Sequence, residues 1–217
     1  MTADPLPRRL LAEGLGSALL AAAVIGSGIA AERLTDDSAV ALLANTGATV
    51  AALAVLIALL APISGAHFNP AVSLVLALCG RLSWRDCALY AAAQVAGCCL
   101  GAVLAHAMFE LPLLQPSGHA RAGPAQWLAE ITATLGLLLV VLGHRRAEDV
   151  PWMVAAWIGA AYWFTSSTSF ANPAITVARS LTDTFAGIRP ADAPMFICAQ
   201  LAGATLGLWV HRLLRPS

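Results

Sequence analysis

The triplet Asn-Pro-Ala occurs twice in this chain, as Asn69-Pro70-Ala71 and Asn172-Pro173-Ala174, each after a long apolar segment and in a different half of the sequence. Asparagine is favoured just before the first turn of a helix, and proline fits that turn because its missing N–H would have had no partner there. Each copy therefore reads as a helix start. Within a bilayer, irregular backbone beside a helix start is tolerated only where it lines a cavity, and the helix that follows is a half-helix with its N-terminus near the midplane. Two such starts in matching positions imply a pore between them.

The composition makes a lipid bilayer the solvent for this chain: 59% of its 217 residues are apolar, 11% are charged, and the mean hydropathy is +0.76. Soluble domains do not have this balance. The net charge is zero and every basic residue is an arginine, scattered along the chain, so no basic cluster offers itself to a nucleic acid. Cys79, Cys87, Cys98, Cys99 and Cys198 lack the spacing of a zinc site or redox pair and read as small buried apolar residues. His106, His119, His144 and His211 are equally dispersed. No metal site, cofactor or catalytic nucleophile–base pair is implied.

Six apolar stretches reach or approach the length needed to span a bilayer: Arg8 to Ala31, Ser38 to Leu60, Trp84 to Met108, Pro124 to Gly143, Pro151 to Ser167 and Ala193 to Leu214. The first resembles a secretory signal, but Glu13 interrupts its apolar run, and it is expected to be a retained helix. Arginine placement sets the orientation, because short cytoplasmic loops carry the positive excess. With both termini inside, Arg8, Arg9, Arg81, Arg85, Arg145, Arg146, Arg212 and Arg215 are cytoplasmic, and Arg33, Arg121, Arg179 and Arg189 face the other side. Trp84, Trp127, Trp152 and Trp209 fall near segment ends, where interfacial anchors belong.

The two halves repeat one another. Leu11-Ala12-Glu13 recurs as Leu128-Ala129-Glu130, and Ala93-Gln94-Val95-Ala96-Gly97 recurs as Ala199-Gln200-Leu201-Ala202-Gly203. Repeats of about residues 8–108 and 124–214 hold three spans each, an odd number, so the second is inverted relative to the first. The pairs Gly97/Gly101 and Gly203/Gly207 put small residues one turn apart, where helices can approach closely. The expected fold is an all-α membrane protein, six transmembrane helices plus two re-entrant half-helices, forming one channel domain over residues 1–217.

The segment Ser64-Gly65-Ala66-His67-Phe68-Asn69-Pro70-Ala71-Val72, together with the second Asn-Pro-Ala, the paired glutamates and the paired Gln-x-x-Gly segments, resembles the signatures of the major intrinsic proteins, the aquaporin and aquaglyceroporin channels. The resemblance runs from about Leu11 to Val210. It implies a narrow pore, in tetramers, in which Asn69 and Asn172 donate to the passing molecule while Pro70, Ala71, Pro173 and Ala174 hold the half-helix tips together. It also implies that Glu13 and Glu130 accept hydrogen bonds from the loops behind the pore and that His67 braces its loop.

This family commonly places an arginine immediately after the second triplet; here the residue is Ile175. Counting by the family's spacing puts the other constriction positions at Thr49, Ala160 and Ser169, giving a small, weakly polar, uncharged ring. Arg179 lies four residues beyond Ile175. It can serve as a charge at the outer mouth, or pair with Asp183 at i,i+4, the reading that spacing and the helix dipole favour. The run from Asn172 to Ile188 looks like a bacterial subgroup in which an aliphatic residue replaces that arginine, some of whose members are associated with arsenic resistance. The expectation is a passive channel for water and small neutral solutes such as polyols, arsenous acid or methylated arsenicals, in a bacterial inner membrane. The alternatives are a water-selective aquaporin and, from other classes, an ion channel or a structural membrane protein.

Overall fold

A computed structural model describes residues 4–144 and 146–215. Arg145, one of the arginines assigned to the cytoplasmic side, lies outside the described residues. Eight α-helices occur among them: α1 Leu6–Leu34, α2 Ser38–Ser64, α3 Pro70–Leu78, α4 Trp84–Met108, α5 Pro124–Gly143, α6 Val150–Phe164, α7 Pro173–Arg179 and α8 Ala193–Leu214. Helices α3 and α7 are the two short ones that begin at the Asn-Pro-Ala triplets.

Five helices are long and apolar enough to cross a membrane by length and composition: α1, α2, α4, α5 and α8. The sixth, α6, has 15 residues and so rises only about 22 Å. It ends at Phe164, before the expected Ser167, because the chain must turn there toward the second triplet. A 3-10 turn at Ala147–Asp149 precedes it, and Pro151 sits in its first turn, where proline is tolerated. Helix α6 packs on α2, its counterpart in the first half.

The helix pairings are symmetric under exchange of the halves. Helix α1 packs on α4 as α5 packs on α8, α1 on α2 as α5 on α6, and α4 on α7 as α8 on α3. The half-helices also touch each other directly. With three spans per half, this is the inverted arrangement of six helices and two re-entrant half-helices.

The glycine pairs occupy the closest crossings. A methyl group on Gly97 would run into the Gly14 carbonyl of α1, and one on Gly101 into the Ala18 carbonyl; Gly203 and Gly207 meet the Ile131 and Leu135 carbonyls of α5 in the same way. Because apolar side chains gain nothing by leaving lipid, such contact between backbones is what holds α4 to α1 and α8 to α5. Gly203→Ala is expected to destabilise the protein by about 1–3 kcal/mol, the usual cost of overpacking. Thermal unfolding in detergent would read this as a lowered midpoint; an unchanged midpoint would show that the α5–α8 crossing has slack.

Two surface expectations are corrected. Cys198 is exposed on α8 rather than buried, and Cys79 and Cys99 are half-buried, leaving Cys87 and Cys98 as the buried pair. Trp127 is half-buried against a small cluster of Phe170, Ile188 and Phe196 rather than standing free at the interface. Trp84, Trp152 and Trp209 are exposed, as anchors should be.

Candidate pore and its filter

Behind each half-helix a buried glutamate organises the loop that precedes it. Glu13 Oε1 accepts from the Ser64 hydroxyl at 2.7 Å and the His67 amide at 2.9 Å, while Oε2 accepts from the Phe68 amide and Gln94 Nε2, both at 2.8 Å. Glu130 repeats the pattern, with Oε1 accepting from the Ser167 hydroxyl at 2.6 Å and the Phe170 amide at 2.9 Å, and Oε2 from the Ala171 amide at 2.9 Å and Gln200 Nε2 at 2.6 Å. Gln94 Nε2 also donates to Ser73 on α3, and Gln200 Nε2 to Thr176 on α7, tying each half-helix to the same network. Both glutamates are fully buried, and a carboxylate there is tolerable because four donors occupy its oxygens.

These bonds hold a backbone that would not otherwise keep its shape. Ala66 and Phe68 in the first loop, and Thr168, Ser169 and Ala171 in the second, have φ between +47° and +59°, a region that costs non-glycine residues roughly 1–2 kcal/mol each. His67 sits within this turn, its Nδ1 3.0 Å from the Ser73 hydroxyl and its ring 5.2 Å from that of Tyr90. Arg9 in turn donates to the Tyr90 hydroxyl at 2.8 Å and pairs with Asp86 at 3.1 Å.

The two triplets are interlocked. Asn69 Oδ1 accepts from the Ala71 amide and Asn172 Oδ1 from the Ala174 amide, both at 2.9 Å, so each asparagine caps its own half-helix. Each amide nitrogen then crosses to the other loop: Asn69 Nδ2 donates to the Ala171 carbonyl at 2.7 Å, and Asn172 Nδ2 to the Phe68 carbonyl at 2.8 Å. That uses one of the two hydrogens on each nitrogen. Both asparagines line the cavity, and the second hydrogen of each is left for whatever occupies it.

The cavity, of about 290 Å³, runs from Arg81, His144 and Val150 at one end, past Leu76, Val72 and the asparagines, to Thr49, Tyr162, Ser169, Ile175 and Arg179 at the other. Between the Arg81 and His144 end and the asparagines its wall is apolar. At the far end the Thr49 and Tyr162 hydroxyls lie 3.3 Å apart, and the buried Ser169 hydroxyl has no partner among the described residues. Thr49, Ser169 and Ile175 line this cavity together. Ala160 does not: it is exposed on the outside of α6. Two residues along a helix are about 200° apart, and Tyr162 lines the cavity where Ala160 does not.

Arg179 is also placed differently from the pairing expected with Asp183. Its side chain is 3% exposed and reaches the cavity; its Nε donates to the Ala186 carbonyl, and its guanidinium carbon lies 3.3 Å from the Phe170 ring centroid. Asp183 instead accepts from the Gly118 amide. Helix α7 ends at Arg179, so no helical face continues to Asp183. A second arginine, Arg121, lies over the same ring at 5.2 Å and donates to the Gly187 carbonyl at 2.8 Å and the Ser167 carbonyl at 3.3 Å. No motif in the sequence marks Phe170, and the arginine distribution marks Arg121 only for orientation, not for the site. Arg121 is further held through its backbone amide, which donates to Asp192 at 2.9 Å. The Arg189 guanidinium holds that carboxyl below the ordinary aspartate range, so its contribution is present above that range and is lost as pH falls through the lowered value.

A narrow lumen between two interlocked half-helices, enclosed by the six longer helices, has the form of a transmembrane channel. The profile of the family described as Major intrinsic protein matches residues 2–162. A relative in Rhizobium meliloti (strain 1021), aquaglyceroporin AqpS, is 59% identical over 215 residues, covering 98% of this chain and 92% of its own. Aquaporin NIP1-3 of Oryza sativa subsp. japonica is 34% identical over 198 residues, covering 82% of this chain and 68% of its own. The aquaglyceroporin of Plasmodium falciparum has the same fold, with a TM-score of 0.72 at 20% identity over 98% of both chains. The chain belongs to the major intrinsic protein family.

Proposed function

We propose that this protein is a passive, bidirectional channel for small uncharged solutes, glycerol-like polyols and arsenous acid or methylated arsenicals among them, and for water. The observation that carries the reading is the outer ring of Thr49, Tyr162, Ser169 and Ile175, which offers three hydroxyls and one aliphatic wall where the family commonly places a guanidinium. Hydroxyls accept from and donate to a polyol's own hydroxyls, and the isoleucine faces its carbon skeleton. The half-helix asparagines supply the next donors inward. The name aquaglyceroporin, borne by the Rhizobium relative, supports the same solute class.

In this reading Glu13, Glu130 and His67 support the loops, the Asn-Pro-Ala residues form the pore centre, and the repeats cover about residues 8–108 and 124–214. Both termini are cytoplasmic, on the arginine distribution, and the protein is a homotetramer of a bacterial inner membrane, on the family resemblance.

Stopped-flow light scattering of proteoliposomes given a hyperosmotic glycerol step tests the assignment. Rapid shrinkage reports water, and protein-dependent reswelling reports glycerol. We expect both. A water-selective channel is the second reading, favoured by the Tyr162 hydroxyl lying 3.3 Å from Thr49 and narrowing the ring; shrinkage without reswelling would establish it instead.

A further inference from the structure

We infer that Arg179, pinned by Phe170 and backed by Arg121, is the residue that excludes cations from this pore, replacing the charge absent at Ile175. The inference rests on the neutral-solute reading above. Helix α7 carries Ile175 and Arg179 one turn apart on the same face, so the Arg179 backbone stands about 6 Å farther along the helix than the motif-adjacent position. It is nevertheless within the lumen, among the cavity-lining residues.

Three observations separate this arrangement from an ordinary structural arginine. First, the side chain is held at two points, by its Nε bond to the Ala186 carbonyl and by the Phe170 ring, leaving its terminal nitrogens without a partner among the described residues. Second, neither Arg179 nor Arg121 forms an ion pair there, and the buried carboxylate of this half, Glu130, is turned toward three loop donors and Gln200 of α8. Neither guanidinium therefore has a counter-ion in contact, although the Glu130 carboxylate keeps its charge and attracts both at longer range. Third, Phe170 belongs to the loop that Glu130 shapes, so the backbone that positions the second triplet also fixes the guanidinium. A guanidinium with no contact counter-ion, beside a narrow lumen with low-dielectric walls, acts strongly on an ion stripped of water and hardly at all on a neutral molecule. Phe170 and Arg121 serve as positioning residues: the ring fixes the fork, and the second guanidinium adds to the field without lining the lumen.

The test compares sodium entry, read by an indicator trapped in proteoliposomes, with glycerol reswelling of the same vesicles. The unmodified protein should be sodium-tight while passing glycerol. Arg179→Gln should raise the ratio of sodium to glycerol permeability on the order of tenfold or more; Arg179→Lys, which keeps the charge but not the fork, should leave sodium excluded; Arg121→Gln should raise the ratio less. A folded Arg179→Gln protein with an unchanged ratio would overturn the inference. So would a leaky Arg179→Lys protein, or sodium entry through the unmodified channel, which decides the matter even if the glutamine variant does not fold. Absence of glycerol flux in the unmodified protein would instead remove the neutral-solute reading.

Discussion

Replacing Glu130 with alanine is expected to abolish the folded channel. Four donors converge on its carboxylate, two of them backbone amides in a loop with three non-glycine residues at positive φ. An orphaned buried donor costs about 1–3 kcal/mol, so four together cost about 4–12 kcal/mol, comparable to the whole stability of an ordinary domain. The glutamate and its donors are buried, so no bulk water replaces the carboxylate at no cost. Glu130→Gln should be milder but still damaging, because its NH2 group would face N–H donors. Size-exclusion profiles in detergent and thermal midpoints, with glycerol flux as the functional readout, check this. An alanine variant that remains monodisperse and conducts like the parent protein would refute the assigned role. Glu13→Ala should behave in the same way, since its carboxylate has the matching set of donors.

The second large effect is expected at Ile175. Its side chain is 5% exposed and lines the cavity opposite the Thr49 and Tyr162 hydroxyls. Ile175→Arg should cut glycerol permeation at least about tenfold while lowering water permeation only a few-fold, since a guanidinium fills the ring and water passes gaps that glycerol cannot. The new charge would sit one turn from Arg179, an unfavourable like-charge spacing. Combining Ile175→Arg with Arg179→Gln relieves that repulsion and separates the steric effect from the electrostatic one. Stopped-flow shrinkage and reswelling rates give both permeabilities in one trace. Equal loss of the two, in folded protein, would mean that Ile175 is not a selectivity position.

What could be read from the sequence is what repeats or what is local. The triplets announce helix starts through short-range backbone chemistry, and α3 and α7 begin where the prolines place them. The paired Glu, Gln and Gly positions lie at matching places in the two halves, and the structure gives them matching contacts. The failures lie where information must cross a loop. The family's spacing points to Ala160, but two residues turn a helix by more than half a revolution, and it is Tyr162 that lines the cavity. The expected Arg179–Asp183 pair assumed a helix that in fact ends at Arg179. Arg121 and Phe170 meet only because the loop before α5 folds back over the second re-entrant loop, and no periodicity records such a meeting.

The crossed asparagine amides also bear on how the protein is made. Asn69 reaches a carbonyl 102 residues later in the chain, and Asn172 one that is 104 residues earlier. A nascent chain that has delivered only its first three spans has made a half-helix whose cap nitrogen still lacks its partner, with the tip facing a space that the second half has yet to fill. Insertion of individual spans and completion of the lumen are therefore separate events in biosynthesis. The lumen is finished only when the second re-entrant loop arrives, so a chain truncated before Ala171 would carry most of its apolar mass and still have no pore.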